Sequence, residues 1–334
     1  MNDMLFYLGD IAYGLSYALT LTVCAITLLP LVPNNHWVFR VWEFPRVQII
    51  VLAIFGFVLL VVFASEFTQS EWIAQLIAVF AVACFQSYWI LPYTQLYKSE
   101  VARHHAVAGD ETLTILTANV LMTNRNAQGL IRHVKVNRPD ILVTLESNQW
   151  WQDQLDPVLT DYPHRVSIPL DNLYGMHVYS RLALHDVVVS ERVKEGIPSV
   201  KCGVSLPSGA HVKCFFVHPE PPSPTEAPTA APRDCELMRV ADEAIDITQP
   251  VIVTGDLNDV AWSPTTREFQ RRSGLFDPRV GRGFFNTFHA QHGWARWPLD
   301  HIFVSREFAL VSLQRLDEFG SDHFPLLTTL KLNP

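Results

Sequence analysis

Val251-Ile252-Val253-Thr254-Gly255-Asp256-Leu257-Asn258 is a run of four β-favouring residues that closes on a glycine and two polar side chains. A strand ending this way offers a rigid base whose tip opens onto a cleft, which suits side chains that do chemistry. The pattern recurs along the C-terminal two thirds of the chain. Leu116-Thr117-Ala118-Asn119 ends in an amide, Asp140 to Glu146 in a carboxylate, and Phe215-Phe216-Val217-His218 in an imidazole. Pro298-Leu299-Asp300-His301 and Gly320-Ser321-Asp322-His323-Phe324-Pro325 place further polar residues beside β-rich runs. Taken singly, each has a plain structural explanation. Asn119 or Asp322 could cap a helix, Asp256 and Asn258 could form a turn, and His218 or His323 could be hydrogen-bonded core histidines.

Around these runs, strands are expected at Leu113 to Val120, Asp140 to Leu145, Met176 to Tyr179, Leu184 to Ser190 and Ser199 to Leu206. Further strands are expected at His211 to Val217, Val251 to Thr254, Leu299 to Val304 and Leu326 to Lys331. Helices are expected at Ala127 to Asn137, Gln149 to Leu159, Arg233 to Ile247 and Pro264 to Ser273. Hairpin strands mixed with helical crossovers imply an α/β fold, two packed mixed sheets with helices outside. Six prolines between Pro219 and Pro232 read as an exposed loop.

The N-terminal part differs. The chain has 334 residues, 49% hydrophobic and 17% charged, and the apolar excess lies before residue 95. Ile11 to Val32, Val47 to Ser65 and Trp72 to Pro92 contain no Lys, Arg, Asp or Glu, and each approaches the roughly 20 apolar residues needed to cross a bilayer. Trp37, Trp42, Trp72, Tyr88, Trp89 and Tyr93 sit near the ends, where amphipathic rings favour the headgroup region. Three transmembrane helices are therefore expected, with an anchor at residues 1–97, a linker at 98–111 and a catalytic domain at 112–334. Met1 to Asp10 lacks a basic residue, which argues against a cleaved signal peptide. Arg40, Arg46, Lys98 and Arg103 against Asp3, Asp10, Glu66 and Glu71 favour a cytoplasmic catalytic domain, with the periplasm left open.

Removing Arg40 and Arg46 from the 25 basic residues and Asp3, Asp10, Glu43, Glu66 and Glu71 from the 33 acidic ones leaves the remainder at −5. That is not the footprint of a tight non-specific duplex binder. Arg267, Arg271, Arg272, Arg279 and Arg282 form a local exception, either a solvated helix face or a phosphate-steering cluster. Cys202 and Cys214 flank Pro207-Ser208-Gly209 at equal distance, so a hairpin there would set the thiols opposite one another, as a disulfide or as two reduced thiols.

In order and spacing the polar strand ends resemble the endonuclease/exonuclease/phosphatase superfamily, with its deoxyribonuclease I-like fold, over Thr112 to Leu330. Gly255-Asp256-Leu257-Asn258 and Ser321-Asp322-His323-Phe324-Pro325 carry most of the resemblance. Asn119-Val120, Glu146, Ser180-Arg181 and Leu299-Asp300-His301 support it. His218-Pro219-Glu220-Pro221-Pro222 followed by Arg233-Asp234 looks like a bacterial, membrane-attached branch. The resemblance implies a four-layer α/β/β/α sandwich behind the three spans, in a bacterial inner (cytoplasmic) membrane. It also implies a hydrolase of phosphoric esters that uses Mg²⁺ or Mn²⁺.

On this resemblance Glu146 would hold the metal, with Asn119 and Asp322 completing the shell. Zinc is disfavoured, because the soluble part has no closely spaced Cys/His set. His323 would activate or orient the attacking water with Asp300 fixing its tautomer, and Asp256 would orient or deprotonate that water from the other side. Asn258 and His218 would donate to phosphoryl oxygens, and Ser180, Arg181, Arg267 and Arg271 would bind substrate. Leu121 departs from family members that carry an acid two residues after the asparagine, which favours one dominant ion. His177, His185, His289, His292 and His301 have no matching context. Nucleic acid is placed first as substrate, lipid headgroups or inositol phosphates second, and a catalytically idle tethered module third.

Overall fold

The computed structural model describes residues 2–107 and 109–333. It falls into two compact units, residues 1–92 and 93–334. The first holds helices α1 (Asn2–Leu28), α2 (Trp37–Arg40), α3 (Arg46–Val62) and α4 (Gln69–Ile90).

Two helical stretches, Tyr7–Leu31 and Gln69–Tyr93, are long and apolar enough to cross a membrane. The expected span at Val47 to Ser65 is the bent one. Arg46–Val62 meets Trp37–Glu43 at a 71° bend, so the count reaches three only if that broken pair is one span. Pro45 stands at the bend as the N-cap of α3, where a prolyl ring suits the start of a helix and not its interior. Polar side chains inside this unit bond to one another. Ser16 and Thr20 donate to Gln75, and Arg46 donates to Gln86, which donates to Thr27.

The second unit runs β1 (Thr112–Asn119), α5 (Ala127–Asn137), β2 (Ile141–Leu145), α6 (Gln149–Leu155), β3 (His164–Ile168), β4 (Met176–Ser180), β5 (Leu184–Ser190), β6 (Ser199–Ser205) and β7 (His211–Val217). It continues with α7 (Ala231–Ile245), β8 (Val251–Asp256), α8 (Pro264–Ser273), β9 (Asp300–Val304), β10 (Phe308–Arg315) and β11 (Leu326–Leu332). One sheet has the order β10-β11-β1-β2-β4-β3, the other β5-β6-β7-β8-β9. Both mix parallel and antiparallel pairs: β1 is parallel to β2 and antiparallel to β11, and β8 is parallel to β7 and antiparallel to β9.

The layers follow from the period of two along each strand. Leu113 and Ile115 of β1, Ile141 and Val143 of β2, Ile252 of β8 and Ile302 of β9 share one core between the sheets. Their neighbours Leu116, Ala118 and Leu142 face outward onto Leu130 and Ile131 of α5 and Trp151 and Leu155 of α6. On the other side Phe215, Val217, Val253 and Phe303 meet Leu237 and Val240 of α7 and Phe269 of α8. The result is the expected four-layer α/β/β/α sandwich.

Two expectations change in detail. Strands β3 and β10 are additional to those expected. Within the expected linker, His104 N donates to Leu310 O, and Lys331 bonds Asp110. The proline-rich loop is only partly exposed, since Pro219, Glu220, Ala227 and Ala230 are buried and Pro232 enters the first turn of α7. The β6–β7 hairpin sets Cys202 opposite Cys214, both buried and both free.

Candidate active site

Thr117 and Asn119 continue the inward series of β1, as Thr254 and Asp256 continue that of β8 and His218 that of β7. The two sheets touch where these series turn polar: the Thr117 and Thr254 hydroxyls lie 2.9 Å apart, and Asn119 Nδ2 donates to Asp256 Oδ2 at 3.1 Å. Strand β9 runs antiparallel to β8 and starts at this end, where Asp300 pairs with Asp256. Glu146 would continue the outward series of β2, but its φ of +57° breaks the alternation, and its Oε1 accepts from Asn119 Nδ2 at 2.7 Å. Gly255 has no alternative side chain, because a Cβ there, at φ +152°, would lie 1.8 Å from Val217 O.

His323 is clamped between two carboxylates. Its Nδ1 bonds Asp300 Oδ2 at 2.7 Å, and its Nε2 stands 3.5 Å from Asp256 Oδ2. Burial alone pushes this imidazole down, but Asp300 and Asp256 more than offset it and hold His323 well above the ordinary histidine value. Burial raises the Asp256 carboxyl, against the pull of His323. Burial also pushes Glu146 up to about 7, opposed by the Asn119 amide. His218 Nε2 lies 3.8 Å from Asp256, and burial pushes this imidazole down to about 3, so it is neutral at pH 7. Among the described residues, His218 Nδ1 and Asp300 Oδ1 are buried with no hydrogen-bond partner.

The structure therefore brings together Asn119, Glu146, His218, Asp256, Asp300 and His323, with Asp322 close enough to raise Glu146. Asn119 presents its nitrogen to Glu146, while its oxygen accepts from Leu121 N. Asn258, at φ +50°, spends one amide hydrogen on Pro219 O at 2.9 Å.

Four expected substrate-binding residues are not with this cluster. Ser180 pairs with Ile141, at the opposite end of β2 from Glu146, and bonds Leu182 O; Arg181 faces Asp140 at 4.0 Å. Arg267 and Arg271 lie on α8, in the outer helical layer, and Arg271 is engaged by Glu268.

Sequence reading missed the layer behind the site. Arg279 is fully buried, paired with Asp277 at 2.7 Å, and donates to Asp300 O. Arg233 donates to Asn258 O and pairs with Asp259, whose own carbonyl O bonds His301 Nε2. The signal available was the acid-rich run Asp256-Leu257-Asn258-Asp259 followed by Asp277-Pro278-Arg279.

A sandwich whose inward strand faces end in carboxylates, an amide and imidazoles at one edge defines the class. Residues 116–323 match the model of the Endonuclease/Exonuclease/phosphatase family, and the chain belongs to that family. No curated protein matches it significantly. Among solved structures, it is similar to the endonuclease/exonuclease/phosphatase from Bacteroides vulgatus, at 16% identity and a TM-score of 0.55, covering 66% of this chain and 99% of that one. It is similar to the human nocturnin catalytic domain with bound sulfate, at 16% identity and a TM-score of 0.55, covering 68% and 97%. It is also similar to D. rerio TDP2 complexed with single strand DNA product, at 17% identity and a TM-score of 0.52, covering 66% and 100%. At these identities the likeness is one of fold.

Proposed function

We propose that the chain is a membrane-anchored phosphoesterase that depends on Mg²⁺ or Mn²⁺, its catalytic unit on the cytoplasmic side of a bacterial inner membrane. The observation that carries the reading is charge. Glu146, Asp256, Asp300 and Asp322 gather around one protonated imidazole, His323, and burial already lifts Glu146 and Asp256. A divalent cation is the natural partner for such desolvated carboxylates, since buried Arg279 pairs with Asp277 and reaches only the backbone carbonyl of Asp300. Glu146 and Asp322 offer the hard oxygens and would hold the ion, with Asn119 beside them. When bound, the ion supplies neutralisation of phosphoryl charge.

Asp256, Asp300 and His323 also offer three ligand atoms within 4.8 Å of one another. The 2.7 Å bond from His323 to Asp300 fits a proton-holding relay better than a metal cage. A protonated His323 is poorly suited to take a proton from water. The base role therefore passes to Asp256, whose carboxyl burial lifts above the ordinary carboxylate range. His323 would then donate to a phosphoryl oxygen, as would neutral His218 and the remaining hydrogen of Asn258.

Nucleic acid remains the first substrate reading from sequence, but the arginines that favoured it stand elsewhere. Hydrolysis of bis(4-nitrophenyl) phosphate by Asp256→Asn and His323→Ala proteins tests the assignment. Each is expected to fall by about 10²-fold or more, and near-normal turnover in either would sink it.

A further inference from the structure

The apolar stretch Gln69–Tyr93 ends at the first residue of the catalytic unit. Tyr93 is buried there. Its hydroxyl donates to Ala261 O at 2.5 Å, and its ring meets Trp262 edge-on at 6.2 Å. Ala261 stands five residues after Asp256, in the loop that carries Asn258. At the maximum reach of about 3.5 Å per residue, the fastening point lies within roughly 18 Å of Asp256. The residues that follow are fixed as well. Arg282 donates to Val101 O, Asp277 N donates to Glu100, and a Cβ on Gly281 would lie 2.6 Å from Ser99 N. Residues 93–101 form a strap fastened to the rest of the catalytic unit, with Tyr93 held by the loop that carries Asn258.

A second observation lies at the site itself. Residues 284–299 contain no acidic side chain, although the chain outside the anchor is net negative. This loop stands on the catalytic histidine: Phe288 packs 5.0 Å from the His323 ring, and Ala290 N donates to Asp322 O at 2.7 Å. Its Trp294 is 79% exposed, and Leu96 on the strap is 88% exposed. Exposed Trp in an acid-free, Arg-bearing loop suits the headgroup region of a bilayer and its anionic surface.

We infer that the substrate is a phosphoester carried by a membrane-embedded lipid, met at the membrane surface. The inference rests on the hydrolase reading above and narrows its substrate. Water oxygen bonds phosphorus, the bond to the leaving alcohol oxygen breaks, and one water proton passes by way of Asp256 to that leaving oxygen. The short path from the apolar stretch to the loop that carries Asn258 would let such a site meet a headgroup phosphate. A nucleic acid strand would instead need a longer basic track than Arg296 and Arg315, which share the Phe324 ring at this rim.

The test uses the full chain in phosphatidylcholine nanodiscs containing phosphatidylglycerol or phosphatidic acid, with bis(4-nitrophenyl) phosphate and single-stranded DNA as soluble substrates. A rigid helical spacer of about 15 residues between Pro92 and Tyr93 lifts the catalytic unit by roughly 22 Å. The spacer is expected to lower lipid hydrolysis at least about tenfold while leaving bis(4-nitrophenyl) phosphate turnover within about twofold. Equal lipid hydrolysis with and without the spacer overturns the inference. So does a higher kcat/KM for single-stranded DNA than for either lipid, which leaves the hydrolase reading standing. No turnover of bis(4-nitrophenyl) phosphate by folded wild type overturns both.

Discussion

Glu146 carries the sharpest expectations at the residue scale. Its carboxyl is raised in the folded protein, so it favours the fold fully below about 4.5 and loses that contribution as pH rises through about 7. Chelated protein is therefore expected to become less stable between pH 5 and pH 8, and Glu146→Gln to flatten that decline while losing Mn²⁺ affinity. Melting curves with and without Mn²⁺ check both, and an unchanged Mn²⁺ stabilisation in the variant contradicts the metal assignment. His218 works in the other window. Its imidazole is depressed to about 3, so its contribution is full above about 6.5 and is lost as pH falls toward 3. The difference in melting temperature between wild type and His218→Gln should shrink on acidification; parallel curves would count against a neutral buried imidazole. Asp300→Asn removes the charge that holds His323 protonated, and activity is expected to fall about 10²-fold or more, with the pH profile shifted to lower values. An unshifted profile would mean that Asp300 only packs.

Strands set the precision of the site, and their close approaches explain which residues cannot vary. Gly255→Ala is expected to cost about 3 kcal/mol, because the new Cβ would meet Val217 O on the paired strand; a denaturation midpoint like that of wild type would contradict the pairing. The same elements show what sequence could and could not reveal. β8 and β1 were legible because their alternation runs unbroken into Asp256 and Asn119. β3 was not, since His164–Ile168 is an edge strand with three of its five residues charged or polar, and β10 was not, since a register shift between Leu310 and Ser312 breaks its period. Ser180 and Arg181 were misplaced for a different reason. A polar strand end marks the cleft only if the strand points toward it, and β4 runs antiparallel to β2. Direction is a property of the sheet, absent from the local pattern. Likewise Arg267 and Arg271 are close in sequence to Asp256 but ride on α8, which carries them to the outer layer.

For the whole molecule, two features combine: a family hydrolase unit and apolar helices able to cross a bilayer. The helices carry buried, mutually bonded polar residues, Gln75 and Gln86 among them, so their packing is specified and not merely greasy. The apolar helices were legible from hydropathy, whereas the bend at Pro45 and the fastening of residues 93–104 within the catalytic unit depend on tertiary contacts that no window of sequence contains. A metal-dependent phosphoesterase built on Glu146 is tested first by hydrolysis of bis(4-nitrophenyl) phosphate by the purified full chain with Mg²⁺, with Mn²⁺ and with chelator, beside Glu146→Ala. Turnover that requires the ion and disappears in the variant is expected. Turnover that survives the chelator, or that Glu146→Ala retains, would contradict the assignment.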